Sequence, residues 1–234
     1  MKSLENRTKA NILKSFFKTS KGEYGENDIF LGIDVPTLRK IARENSDLDL
    51  KNIKKLLTSK YHEIRLFSLL ILIKKFEEEA DLRNDILNLY LKNTKYINNW
   101  DLVDISSYKI VGRYSFENND HTIIEKLSSS KNMWERRIAI VSLLYFIKNS
   151  SINFPLKILK KVIDGKEDLI KKAIGWMLRE IGKISNESVV ENFIVENYDL
   201  LSPLTINYAT ERFEISKRKN LLKGLKKRQN IDRK

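Results

Sequence analysis

The sequence predicts an all-α chain, a curved α-solenoid of HEAT-like helical repeats. Three observations predict it. Only three prolines and eight glycines punctuate the 234 residues, too few for the frequent turns of an all-β chain. Apolar residues recur at spacings of three and four. Over Ile64 to Ile73 the apolar face is so wide that the helix must be buried on most sides. Finally, four segments align without strain: Glu63-Ile64-Arg65-Leu66-Phe67, Trp100-Asp101-Leu102-Val103, Arg136-Arg137-Ile138-Ala139 and Lys171-Lys172-Ala173-Ile174. Their anchors at 65, 101, 137 and 172 stand 36, 36 and 35 residues apart.

Each anchor opens a long helix, expected over 61–77, 99–114, 133–148 and 168–183. A weaker fifth copy near Asn207-Tyr208-Ala209 gives 203–215. A shorter amphipathic helix precedes each, over 52–59, 83–95, 122–129, 155–164 and 188–198. Turn clusters such as Asn118-Asn119-Asp120 and Asn149-Ser150-Ser151 lie between them. One pair cannot bury its own apolar face, so neighbours must stack. The period is shorter than the roughly 40–47 residues usual for HEAT and armadillo units, and tetratricopeptide and ankyrin signatures are not evident. HEAT-like is therefore the expectation, with one row of helices on a concave side suited to a long partner. Residues 1–216 read as a single repeat domain and 217–234 as a basic tail.

Composition narrows the class. Apolar residues make up 41% and charged residues 32%, too apolar for a disordered chain and too charged for a membrane protein. The longest apolar stretch, Phe67 to Ile73, runs straight into Lys74 and Lys75, far short of the roughly 20 residues that span a bilayer. The N-terminus carries no apolar segment of signal-peptide length. Absent cysteine rules out disulfides, thiolate metal sites and cysteine nucleophiles. With only His62 and His121, a histidine-rich metal site is ruled out too. A soluble, cytoplasmic, basic protein is expected, without metal, cofactor or membrane contact.

The net charge is +13, from 44 Lys/Arg against 31 Asp/Glu, and it favours a polyanionic partner, most often nucleic acid. It is unevenly spread. Residues 217–234 hold nine Lys/Arg and one Asp, or +8, leaving 35 against 30, or +5, for 1–216. Leu221, Leu222 and Leu225 fall at helical spacing in that tail, which reads either as a solubilising end or as a phosphate-binding one.

The long helices hold the candidate site residues. Trp100 and Asp104 are i, i+4 and share a helix face, as do Trp176 and Arg179 at i, i+3. Arg136 and Arg137 open one long helix, and Lys171 and Lys172 open the next; Arg113, Arg212 and Lys217 continue the basic series. Lys and Arg in a groove neutralise phosphates and release counterions. Indoles offer flat apolar faces that attract cations. A carboxylate in such a groove repels the ligand, so Asp104 suggests a task other than affinity, such as stabilising developing positive charge. Each residue also has a structural reading. A tryptophan in a repeat helix is most often core, and Trp134 is taken as packing. Asp104 could be an intrahelical partner, Asp101 suits the helix dipole, and Arg136 or Arg137 could pair with Glu135 or a neighbouring repeat.

The runs Tyr24-Gly25-Glu26-Asn27-Asp28-Ile29-Phe30-Leu31-Gly32-Ile33, Trp100-Asp101-Leu102-Val103-Asp104, Arg137-Ile138-Ala139-Ile140 and Lys172-Ala173-Ile174-Gly175-Trp176-Met177-Leu178-Arg179-Glu180 resemble the AlkD-type DNA alkylation repair glycosylases. The likeness covers about residues 8–215 and leaves out the tail. It implies a solenoid that holds duplex DNA and excises cationic N3- and N7-alkylated purines, without drawing the base into a pocket as most glycosylases do. On this resemblance Trp100 and Trp176 are cleft tryptophans, Asp104 the catalytic aspartate, Arg137 and Arg179 DNA-contacting arginines, and Tyr24 an N-terminal cleft tyrosine. Arg136 and Lys172 join them from the basic pattern. The implied partner is double-stranded DNA containing alkylated purines, met by a monomer. A non-catalytic DNA-binding solenoid and a protein-binding scaffold are the competing expectations; the first needs the basic groove but neither Asp104 nor the two indoles.

Overall fold

The computed structural model describes residues 4–231, with side chains through residue 224. The chain divides into two compact units, Met1–Ile110 and Val111–Lys234.

The first unit opens with α1 (Arg7–Phe16), α2 (Val35–Glu44) and α3 (Leu50–Leu57), each begun by a capping side chain. Asn6, Asp34 and Asp49 accept first-turn amides, which satisfies donors that have no partner inside the helix. Pro36 sits in the first turn of α2, where its missing N–H costs nothing. The long helix α4 (His62–Glu78) is buried almost all round, through Leu66, Leu69, Ile71, Leu72 and Phe76. It packs against α2 and α3. Then come α5 (Arg83–Lys92) and α6 (Trp100–Ser107), the latter packed on α4.

The segment between α1 and α2 folds over the start of α4. The Glu63 carboxylate accepts the amides of Leu31 at 2.9 Å, Gly32 at 2.7 Å and Ile33 at 3.4 Å. Gly32 makes this cradle possible. Its φ is +80°, and a Cβ there would lie 2.1 Å from the Asn6 carbonyl oxygen. The Phe30-Leu31-Gly32-Ile33 run is thus explained by backbone geometry and one buried acid.

The expected helix over 99–114 is interrupted. After α6 the chain makes a π-helical turn, Tyr108–Gly112, before α7 (Arg113–Glu117). Gly112 lies so close to the Ser142 carbonyl that a Cβ would reach 2.3 Å from its oxygen. The wider turn and the bare glycine let the backbones meet.

The second unit continues with α8 (Thr122–Ser128), α9 (Met133–Lys148), α10 (Asn153–Lys161), α11 (Asp168–Ile184), α12 (Glu187–Glu196) and α13 (Pro203–Ala209). Helices α9 and α11 form its centre: α9 packs on α7, α8 and α10, α11 on α12 and α13, and both on each other. The helix expected over 203–215 stops at Ala209, where the Thr210 hydroxyl donates back to the Ile206 carbonyl at 2.7 Å.

A new helix, α14 (Ile215–Ile231), carries the basic tail. Its first half is docked. Leu221 is buried, Gly224 rests against the Tyr198 ring, and Lys217 pairs with Glu191 at 2.9 Å and Glu187 at 3.4 Å. Leu225 and the basic side chains after it lie outside the described residues. Within each unit the architecture is the all-α stacking of helix pairs that the sequence implied. Among the described residues no helix is long and apolar enough to cross a membrane.

Gly175 sets the closest approach of α11 to α13: a Cβ there would lie 2.5 Å from the Tyr208 Cβ and 2.6 Å from the Thr205 carbonyl oxygen. Because one of these atoms is backbone, relief requires the helices to part. Gly175→Ala is expected to destabilise the second unit by about 1–3 kcal/mol, read as a lowered midpoint in thermal unfolding. An unchanged midpoint would refute that close approach.

Candidate functional site

Helix α6 is capped by Asn99, whose side-chain oxygen accepts the Trp100 amide at 2.9 Å. The Trp100 indole is half-buried. It stacks on Phe17 with centroids 5.2 Å apart and meets the edge of Phe16 at 5.8 Å. One turn on, Asp104 is also half-buried, so the expected shared face exists. Asp104 lies near the fully buried Tyr90. Burial, chiefly, and the Asp104 charge push the Tyr90 phenol above its ordinary range, against a hydrogen bond with Ser106. Directly after Asp104, Ile105 and Tyr108 line a cleft of about 510 Å³ that also holds Arg39, Arg43, Lys74 and Lys109. Tyr24 is half-buried, in the loop whose Gly25 presses on the Phe17 backbone.

Beneath Trp100 lies a cluster that sequence reasoning passed over. His62, 2% exposed, has Nδ1 at 3.0 Å from Asp28 and Nε2 at 2.7 Å from Asp101. Arg65 donates to the other Asp28 oxygen at 2.6 Å, and Asn99 donates to Asp28 at 3.1 Å. Burial alone would lower the His62 pKa. The Asp101 and Asp28 carboxylates outweigh it and raise the value to about 9. Burial pushes Asp28 upward, but its hydrogen bond to His62 and the Arg65 charge hold it below its usual range. The signals were present, as a lone histidine opening an apolar helix and an aspartate inside the Tyr24–Ile33 run. Nothing in their spacing of 34 residues says that they touch.

The second unit holds the remaining candidates. On α11, the Trp176 indole N–H donates to Glu180 at 3.2 Å. Glu180 also binds Lys183 and lies 3.8 Å from the Arg179 guanidinium, whose other end pairs with Glu211. Glu180 is thus the hub of this helix face. Lys172 sits over the Tyr208 ring at 6.0 Å. Arg137 is buried, 5% exposed, and donates to the Leu169 carbonyl in the first turn of α11. Arg136 pairs with Glu167 at 2.5 Å and donates to the carbonyls of Ser130 and Lys131. Glu167 stays below its ordinary range because its hydrogen bonds and the Arg136 charge outweigh burial.

Arg136, not Arg137, is the counterpart of Arg65. Arg65 donates to the carbonyl six residues upstream, Ser59, as Arg136 does to Ser130, and each also pairs with a carboxylate of another segment. Between α4 and α9 the structural equivalence is therefore offset by one residue from the sequence anchors 65 and 137.

The profile of a family described as DNA alkylation repair enzyme matches residues 1–213. The chain belongs to that family. A solved structure described as a predicted DNA alkylation repair enzyme from Enterococcus faecalis superposes on this family member with a TM-score of 0.69 at 19% identity. It covers 90% of this chain and 97% of that one. AlkD2 from Streptococcus mutans superposes with a TM-score of 0.56 at 16% identity, covering 89% and 99%. At these identities the likeness shows the fold. No curated protein matches the sequence. Among the described residues of this family member, no group of three or more His, Cys, Asp or Glu side chains is arranged to hold a metal ion.

The raised His62 pKa has a definite sign. The folded state holds the proton more tightly than the unfolded chain, whose ordinary value is 6.5. The stabilisation is complete below about 6.5 and is lost as pH rises through about 9, amounting to about 3 kcal/mol. Urea unfolding at pH 6, 8 and 10 is expected to show that fall, reduced in Asp101→Asn; a flat profile across this window would contradict the charged cluster.

Proposed function

We propose that this chain is a DNA glycosylase that excises cationic N3- and N7-alkylated purines from duplex DNA, acting as a cytoplasmic monomer without a cofactor. The observation that carries this reading is Asp104, a half-buried carboxylate one turn from the Trp100 indole on α6, in a chain of net charge +13. A protein that only bound phosphates would gain nothing from a carboxylate there.

Alkylation at N3 or N7 gives the purine a positive charge and makes it a good leaving group. As the N-glycosidic bond breaks, its electron pair neutralises the purine and the sugar becomes oxocarbenium-like. The Asp104 carboxylate stabilises that cation, orients water toward the anomeric carbon and accepts the proton the water releases. Trp100 packs on the lesion nucleotide from a place set by Phe16 and Phe17. Trp176 does the same with its N–H occupied by Glu180, and both rings add cation–π attraction as charge reaches the sugar. No general acid is needed, because the base leaves as a neutral molecule.

For the DNA backbone, Arg179 and Lys172 are the direct contacts. The Arg179 partner Glu211 is more than half exposed, and such a pair is held weakly enough to yield to a phosphate. Arg136 and Arg137 serve by holding the first turn of α11, through Glu167 and the Leu169 carbonyl. Tyr24, in the loop that packs on the Phe17 backbone, supplies the N-terminal contact to the nucleotide.

Incubating the protein with methylated duplex DNA is expected to release N7-methylguanine or N3-methyladenine. Asp104→Asn should slow that release on the order of 10²–10³-fold. No release by the unmodified protein, or undiminished release by Asp104→Asn, would sink the glycosylase reading. Salt-sensitive binding of DNA without any release would instead indicate the non-catalytic DNA-binding alternative.

A further inference from the structure

We propose that His62, as an imidazolium clasped between Asp28 and Asp101, is a positioning residue that fixes the Trp100 indole and the first turn of α6. This rests on the glycosylase reading for its catalytic consequence, but not for its structural content.

The charge state follows from geometry. A neutral imidazole carries one donor and one acceptor nitrogen. Here both nitrogens face carboxylate oxygens, at 3.0 and 2.7 Å. A lone pair on either one would oppose an anion, so both must carry hydrogen. With Arg65 on Asp28, the cluster holds two positive and two negative charges and is balanced. Removing the imidazolium proton leaves a net negative charge in a buried site, which is costly. The charged groups facing His62 are Asp28 from the 17–34 segment, Asp101 from α6, and Arg65 from its own helix; the Glu63 carboxylate is turned to the amides of residues 31–33.

Three connections run from this cluster to Trp100. Asp101, the next residue, is held by His62. Asn99 donates to Asp28 and accepts the Trp100 amide. The imidazole packs on Phe17 with centroids 5.1 Å apart and on Phe30 at 4.6 Å, and Phe17 in turn stacks on the indole. Backbone, side chain and ring of the first turn of α6 therefore refer to one buried charge. Asp104 rides on the same helix one turn later. His62 itself is too deeply buried to touch substrate, so it acts only through these neighbours.

The test has two readouts. The first needs no activity. In a Trp134→Phe/Trp176→Phe background, Trp100 is the sole indole, and its emission is followed from pH 6 to 10. Because the chain has only two histidines, the His62 imidazole resonance is followed beside it by NMR. The expected result is one shared transition near pH 9 in both signals, with the emission transition absent in His62→Gln. The second readout is the single-turnover rate of base release. It is expected to fall through the same alkaline pH, and Asp101→Asn should move that limb to lower pH by removing one of the charges that hold the proton. A merely structural histidine would not move a pH profile in this way.

Emission that ignores the His62 titration, or a His62 ring that is neutral at pH 7, overturns the proposal. So does an alkaline limb that stays in place in Asp101→Asn. If His62→Gln fails to fold, the titration of the unsubstituted histidine and Asp28→Asn decide the question. If the unmodified protein releases no base while emission and imidazole still titrate together, the glycosylase reading fails and the positioning role stands.

Discussion

A pair of helices some 36 residues long has more apolar surface than it can cover alone. That constraint shapes both units. Helices α4 and α9 answer it by being buried nearly all round, each enclosed by helices of its own unit. Where backbones come closest, side chains are withdrawn: Gly112 against Ser142, Gly175 against Thr205 and Tyr208. The joints between repeats are also where polar groups must be buried, and there the chain uses arginine. Arg65 and Arg136 occupy equivalent joints, each tying an upstream carbonyl to a carboxylate of another segment. A planar guanidinium with several donors suits this work better than an ammonium.

This use of arginine changes what the basic composition means. The net charge counts every cation alike, whereas the structure separates those already engaged from those at liberty to meet a phosphate. Arg65, Arg136 and Arg137 are committed to carbonyls and acids within the protein. Lys217, counted with the tail, is committed to Glu187 and Glu191. Arg39 and Arg43 line an open cleft beside the face of α6 that bears Asp104. Among the acids, Glu63, Glu180 and Asp28 each organise several donors, and Asp104 stands half-buried on the helix that Trp100 opens.

Much of the first unit's candidate site depends on charge burial. Two carboxylates and two cations under Trp100 are expensive to take out of water and strongly destabilising when one is removed. Such a cluster is weak evidence for net stability, because its desolvation cost offsets its attraction. Its hydrogen bonds tie the segment before α2, the start of α4 and the start of α6 to one another.

The helical class, the period near 36 residues and most helix positions from α3 to α12 were legible in the sequence, because apolar spacing and repeat length are local or periodic properties of the chain; α1 and α2, which precede the first repeat, were not assigned. The pairing of Trp100 with Asp104 was legible for the same reason: a helix puts i and i+4 on one face whatever surrounds it. Three things were decided only by tertiary structure. The helix over 99–114 breaks into a π-turn because Gly112 must pass a carbonyl of another helix. Arg136 and Arg137, alike in sequence, are assigned to a carboxylate pair and to a carbonyl by the position of α11. His62, Asp28 and Asp101 form one charged cluster although 34 and 39 residues separate the histidine from its partners. Spacing along a chain carries no information about contacts made by folding back across it, and the energy of a buried charge exists only once the fold has excluded water.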